Sequence, residues 1–366
     1  MIFFSGVERK ATTEGGLSGM KKVLYGFLVL VSVMFFVCQT AQAKVTIKIA
    51  TIAPKGSNFM NTYENLVRQI KARTKGEVDF KIYWGGVQGD EKDVLRKVKL
   101  GQLHGGGFMG PGLGEIVPEV RITELPYLFR NYEEVAYVRA GLRDHMNKLF
   151  EEKGFVVLGW MDLGFLYTFS KEPLTSLEIA RKQKWWTLEG EPIGREMFKV
   201  LGISPISLSI TDVATSLSTN MVDAANTTPY GAVAFQWYSK FSYMNEFPTS
   251  NIVGATIITK KIWDKVSPEN QKIMMQVSNE CHGRLVEATR KEDAQCVQIL
   301  RKAGIKVIHN KGALDKDMKY IFDAAQKTRE NLTGRLYSKE LLARTLTLLE
   351  EYRRAHPKDT TVIHLQ

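Results

Sequence analysis

Apolar and polar residues alternate with a period of two over 45–50 and 78–84, the pattern of half-buried strands. Each run ends in a turn, at Pro54-Lys55-Gly56-Ser57 and at Gly85-Gly86, and the period then changes to that of a helix, over 58–73 and 90–100. Residues 104–109 predict a short glycine-rich strand, and a helix over 132–152 leads into the apolar run 155–169. A second region of the same kind follows, with strands at 184–188, 207–210 and 222–226 and helices at 191–201, 211–220 and on through Gln236. A β-branched strand at 252–259 precedes 268–302, where helical spacing without an internal proline predicts one long helix or two with a small break. The last forty or so residues, rich in Leu and Arg, predict helix as far as Pro357. Strands alternating with helices imply βα units and a mainly parallel sheet, with ligands at the carboxyl ends of the strands. No Gly/Ser/Pro linker separates the two regions, so the chain crosses between them on ordered strands, at 155–169 and 252–259, which makes a hinge.

Upstream of this pattern the chain changes character. Met20-Lys21-Lys22 gives a positive start, 23–37 is almost unbroken apolar sequence, and Ala41-Gln42-Ala43 is a small-x-small cleavage signature. Together these predict a secretory signal peptide over 1–43, cleaved after Ala43, with Met20 the better initiator and 1–19 an over-extended start. About fifteen apolar residues fall short of the ~20 that span a bilayer. The exported product is therefore expected in the periplasm. Removing 1–43 takes four cations and two acids, so the net charge of +11 becomes +9. Those charges alternate in sign along the chain, which predicts solvated helix faces and no nucleic-acid partner.

Composition is that of an ordinary globular chain: 366 residues, 44% hydrophobic and 24% charged, enough for two domains or one large one. Three cysteines cannot build a disulfide scaffold or a four-cysteine zinc site. On one continuous helix Cys281 and Cys296 would stand about 22 Å apart, far beyond disulfide reach, so both are expected as free thiols. Gly105 to Gly110 matches Gly-x-Gly-x-x-Gly, but Pro111 and Gly112 follow where a dinucleotide site needs a helix. The six histidines never fall at metal-ligand spacing, and neither a Gly-Lys-Ser/Thr phosphate loop nor a Gly-x-Ser-x-Gly elbow occurs. The expectation is a non-enzyme with no cofactor and no metal.

What remains is binding chemistry. Lys184-Trp185-Trp186-Thr187-Leu188-Glu189-Gly190-Glu191-Pro192 sets two indoles and two carboxylates between a strand and a helix, at the strand end, and Phe165, Tyr167 and Trp237 add aromatics near the predicted crossings. Asn226-Thr227 follows another strand with amide and hydroxyl groups. The candidate ligand-binding set is Trp185, Trp186, Glu189, Asn226, Thr227, Phe165, Trp237 and Asp212.

At these residues the chain resembles the solute receptors of tripartite ATP-independent periplasmic (TRAP) transporters, the DctP-like family 7 of extracellular solute-binding proteins. The resemblance rests on Ile47-Lys48-Ile49-Ala50-Thr51, on Glu124-Leu125-Pro126-Tyr127-Leu128-Phe129, on Thr211 to Leu217 leading into Val222-Asp223-Ala224, and on Lys260-Lys261-Ile262-Trp263-Asp264. It implies an α/β, two-lobed periplasmic binding protein fold, its lobes joined by hinge strands and braced by a long helix. Lobe I is expected at 44–165 plus 255–300, lobe II at 166–254 plus 301–355, and a tail at 356–366. It further implies closure on one small organic ligand and delivery to membrane permease subunits; the alternatives are a secreted enzyme using Glu189 with Asp212, or a sensor for a membrane kinase. Where the family carries a ligand-pairing arginine this chain has Trp186, and Leu166 occupies a second basic position. An indole cannot supply the paired charge-assisted bonds of a guanidinium. A bulky, aromatic or partly apolar ligand, or a cation resting on the indoles, therefore fits better than a four-carbon dicarboxylate.

Overall fold

The computed structural model describes residues 44–54, 57–309 and 314–358; the predicted signal peptide, its cleavage site and most of the tail lie outside them. Nine strands are described: β1 Val45–Ala50, β2 Val78–Tyr83, β3 Gly105–Met109, β4 Phe155–Ser170, β5 Trp186–Leu188, β6 Ile206–Leu208, β7 Ala224–Thr227, β8 Tyr243–Thr259 and β9 Lys306–Ile308. The described helices of nine residues or more are α1 Asn58–Arg73, α2 Glu91–Lys99, α3 Tyr132–Glu152, α4 Pro192–Val200, α5 Pro268–Lys302, α6 Leu314–Leu332 and α7 Lys339–Ala355. Side chains cap them where the sequence changes period. Ser57, Asp90, Asn131, Ser267 and Ser338 each accept a backbone N–H from three residues on, satisfying donors that an uncapped first turn leaves bare.

Seven strands form one sheet in the order β2-β1-β3-β8-β4-β7, with β9 on β8, and β5 and β6 pair separately. The expected parallel arrangement holds for β1 with β2 and β3 and for β5 with β6. It fails at the centre. β8 is antiparallel to both β3 and β4, and β4 is antiparallel to β7, so the main sheet is mixed. The cause is that the two long strands run past each other in opposite senses, pairing from Phe155 with Thr259 to Ser170 with Tyr243. β8 also begins nine residues before the predicted strand, through Asn245, Glu246 and Pro248. That polar stretch hides its alternation, and Pro248, which has no N–H to give, sits at one of four register shifts along the β4–β8 pair.

Gly105 of β3 and Gly110 just past its end are packing residues. A Cβ on Gly105 would strike the Ile257 carbonyl oxygen, and one on Gly110 the Glu124 carboxylate. The predicted long helix is α5, unbroken over 35 residues. It packs first on α1, then across β4, then on the short helix Pro229–Ala234. Cys281 and Cys296 are free and buried on it. No helix among the described residues is long and apolar enough to cross a membrane.

Candidate functional site

A cavity of about 380 Å³ opens where the carboxyl ends of β1, β3, β5 and β7 converge on the middle of β4. Strand alternation decides which side chains reach it. Leu166 and Thr168 of β4 line the cavity, whereas Phe165, on the opposite face, is 1% exposed and packs edge-on against Tyr132 with ring centroids 5.0 Å apart.

On β5 the two indoles likewise point to opposite faces, and both border the cavity. Trp186 meets Trp237 edge to face at 5.3 Å, and Phe235 stacks on Trp237 at 5.5 Å. The Trp186 Nε1–H donates to the Leu208 carbonyl at 3.1 Å, so Trp186 itself offers carbon to a ligand and no free N–H. Trp185 packs on Phe198 at 5.2 Å and donates to the Ala180 carbonyl at 2.7 Å. Asn226 and Thr227 end β7 at the cavity; the Asn226 Oδ1 accepts the Thr168 hydroxyl at 2.8 Å.

The structure thus brings together Trp185, Trp186, Trp237, Asn226 and Thr227, and places Phe165, Glu189 and Asp212 elsewhere. Phe165 is turned into the core by strand alternation. Glu189 lies on the surface 3.6 Å from the Lys92 ammonium, and Asp212, exposed at the end of a helical turn, accepts the Ser209 hydroxyl at 2.8 Å. That pair therefore supplies no cleft chemistry.

Of the two carboxylates beside the indoles it is Glu191 that borders the cavity, joined there by Arg121 and Glu124, which stand outside the candidate set. Arg121 is 4% exposed; its Nε–H donates to Glu124 and its Nη2–H to Glu191 at 2.6 Å. The Glu124 carboxylate also accepts the Val253 N–H at 2.7 Å, and the Glu191 carboxylate caps α4 by accepting the N–H of Ile193 and Gly194. Burial works against the charged guanidinium, but Glu191 and Glu124 outweigh it and hold Arg121 above its ordinary value. Glu124 is pushed up by burial, against the pull of Arg121. Glu91 accepts from Met109 and Gly112 N–H at 2.6 and 2.9 Å, yet burial pushes its carboxyl up to about 8. Among the described residues Arg121 is the one cationic side chain at the cavity, beside Glu91, Glu124, Glu191 and Glu292. One signal for the triad was present: Arg121 and Glu124 stand three apart inside the apolar run of Val120, Ile122 and Leu125, where a charge must find a partner.

Comparison with known proteins follows this geometry. The family model described as bacterial extracellular solute-binding protein, family 7, matches residues 49–331. The sialic acid-binding periplasmic protein SiaP of Vibrio cholerae is 23% identical over 277 residues, covering 74% of this chain and 84% of that one. A TRAP periplasmic solute binding protein from Ochrobactrum anthropi, with its C-terminus bound in the ligand-binding pocket, superposes with a TM-score of 0.75 at 22% identity, over 87% of this chain and 98% of that chain. One from Desulfovibrio salexigens with bound orotic acid gives 0.76 at 21% identity, over 85% and 99%. The fold is that of two-lobed periplasmic binding proteins.

Proposed function

We propose a ligand for this receptor from one premise: the chain belongs to the bacterial extracellular solute-binding proteins of family 7. Members of that family bind solutes without chemical change, so the chain is a solute receptor of the transport type and not an enzyme. Its ligand, on our reading, is a bulky or aromatic organic solute, captured in the periplasm and handed to the membrane subunits of a TRAP-type permease. Lobe I, at 44–165 with 255–300, closes on lobe II, at 166–254 with 301–355; the solute favours the closed form by touching both, and so shifts the population toward it.

The observation that carries this reading is the wall at Trp186. The residue standing where the resemblance puts the family's arginine is an indole with its N–H already used, and the second basic position is Leu166, also at the cavity. A carboxylate ligand would have to take Arg121 from two carboxylates that already hold it. Recognition then comes mainly from apolar contact with Trp186 and Trp237, and orientation from the amide of Asn226 and the hydroxyl of Thr227. Several relatives are named for acids, among them sialic acid and 2,3-diketo-L-gulonate, and this chain lacks both basic residues that the resemblance assigns to that task.

Thermal unfolding of the exported protein against succinate, glucuronate, phenylacetate and alkylamines tests this. An aromatic or apolar member is expected to stabilise most, by about 2.7 kcal/mol at a hundred times its dissociation constant. Succinate or glucuronate raising the midpoint above every aromatic or alkyl compound would refute the reading.

A further inference from the structure

The cavity is not a simple bowl. It borders both faces of β5: the Trp186 face turned to the cleft, and the Trp185 face turned to a separate buried cluster. On that second face its walls are Leu174, Leu177, Met197, Phe198, Leu201 and Ile203, and Met318 and Ile321 of α6 border it too. The six are each 5–9% exposed. Trp185 turns only carbon to this arm, because its N–H is held by the Ala180 carbonyl.

Its continuity with the cavity marks the arm as a place for a ligand. Protein interiors are packed to crystal-like density, and an apolar void forfeits dispersion contacts along its whole lining. The arm is nevertheless continuous with the solute cavity.

We infer that the arm behind β5 binds the apolar tail of an amphipathic solute, an alkyl or arylalkyl chain whose polar head stays in the cleft beside Asn226 and Thr227. The inference rests on the receptor reading above and narrows its ligand class. Trp185 and Phe198 grip the tail, Met197 and Met318 adapt to its thickness, and Trp186 and Trp237 flank the head.

Calorimetric titration of the exported protein with straight-chain alkanoates from butanoate to dodecanoate, and with the matching alkylamines, tests the arm. In the wild type the dissociation constant should fall about fourfold for each methylene that enters it. Ala180 borders the arm, and only its backbone oxygen holds Trp185; Ala180→Phe should fill the space and level the series at a shorter chain. Equal slopes and equal plateaus in both proteins would overturn the arm and leave the receptor reading standing. No binding by any chain, with tight binding of a short hydrophilic acid, would sink both. A crystal of the wild type soaked with an ω-bromoalkanoate needs no variant: bromine beside Phe198 supports the arm, and bromine beside Trp237 refutes it.

Discussion

Two buried charge clusters flank the centre of this molecule, and they are built differently. At the cavity, Arg121 is hydrogen-bonded to Glu124 and Glu191, and both carboxylates also accept backbone N–H groups. Behind β4, Arg139 has no hydrogen-bond partner among the described residues on any of its three nitrogens; the Asp162 Oδ1 oxygen is 3.7 Å away. Asp162 Oδ2 is also unbonded and lies 3.8 Å from Arg290, whose Nε lacks a partner as well. The first cluster is a fastening: directed bonds hold each of its members, and it spends on structure the one cationic side chain that the described residues bring to the cavity. The second sits at the β4 register shift between Asp162 and Phe165, where Asn251 of β8 donates to Asp162 Oδ1 and to the Gly164 carbonyl. Charges there are balanced by proximity, with few directed bonds.

The largest effect should come from breaking the fastening. Arg121→Met leaves Glu124 and Glu191 buried with no cation, and removing one partner of a buried ion pair costs about 3–5 kcal/mol. Urea unfolding should show that loss, and adding Glu191→Gln should recover part of it, because one of the stranded charges is then gone. A loss below about 1 kcal/mol would mean that the triad behaves like a surface pair, and the contrast drawn above would collapse.

A middle-sized effect separates the clusters by pH. Asp293 on α5 accepts from the Tyr230 N–H at 3.2 Å and the Tyr132 hydroxyl at 3.1 Å, and burial pushes it up to about 7 against those bonds, from an ordinary 3.8. Asp162, Glu292, Tyr132, Tyr167, Arg290 and Cys296 are the charged or titratable groups around it. A carboxyl whose folded pKa exceeds its unfolded one binds more protons in the folded state, so stability should fall as pH rises from about 4 to about 7. At about 1.4 kcal/mol per unit the slope amounts to roughly 2–4 kcal/mol over that range. Asp293→Asn should flatten it. Glu91, raised to about 8 from 4.5, adds a slope of the same sign that Asp293→Asn leaves in place. An unchanged pH profile in Asp293→Asn would show that Asp293 does not titrate in that range.

Much of this architecture is legible from local pattern. Helix α3 and the start of α5 follow from a cap residue and an apolar period that agree, and the cavity side of β5 is announced by paired indoles beside a strand end. What is not legible depends on partners far along the chain. Glu191 borders the cavity and Glu189, two residues earlier on the same polar turn, does not; the difference is that Arg121, 70 positions away, reaches only the first. Phe165 and Leu166 are both plausible cavity residues until the β4 register with β8 decides which one turns inward. The antiparallel centre of the sheet escapes a local reading for the same reason. The early half of β8 has no alternation of its own and is a strand because β4 lies beside it.

The smallest effect should come from the least bonded charge. Arg139 is half-buried, with its pKa lowered by desolvation against the pull of Asp162 and Glu124. It has given up hydration without gaining a hydrogen bond, so its net contribution to folding is small. Arg139→Met keeps the length of the stem and removes the charge. Arg290 and the Asn251 amide remain beside Asp162, so that carboxylate is not abandoned. Stability should change by less than about 1 kcal/mol, in either direction, against the several lost in Arg121→Met. If Arg139→Met costs as much as Arg121→Met, the Arg139–Asp162 cluster is as firm a fastening as the cavity triad, and the contrast in hydrogen bonding does not translate into stability.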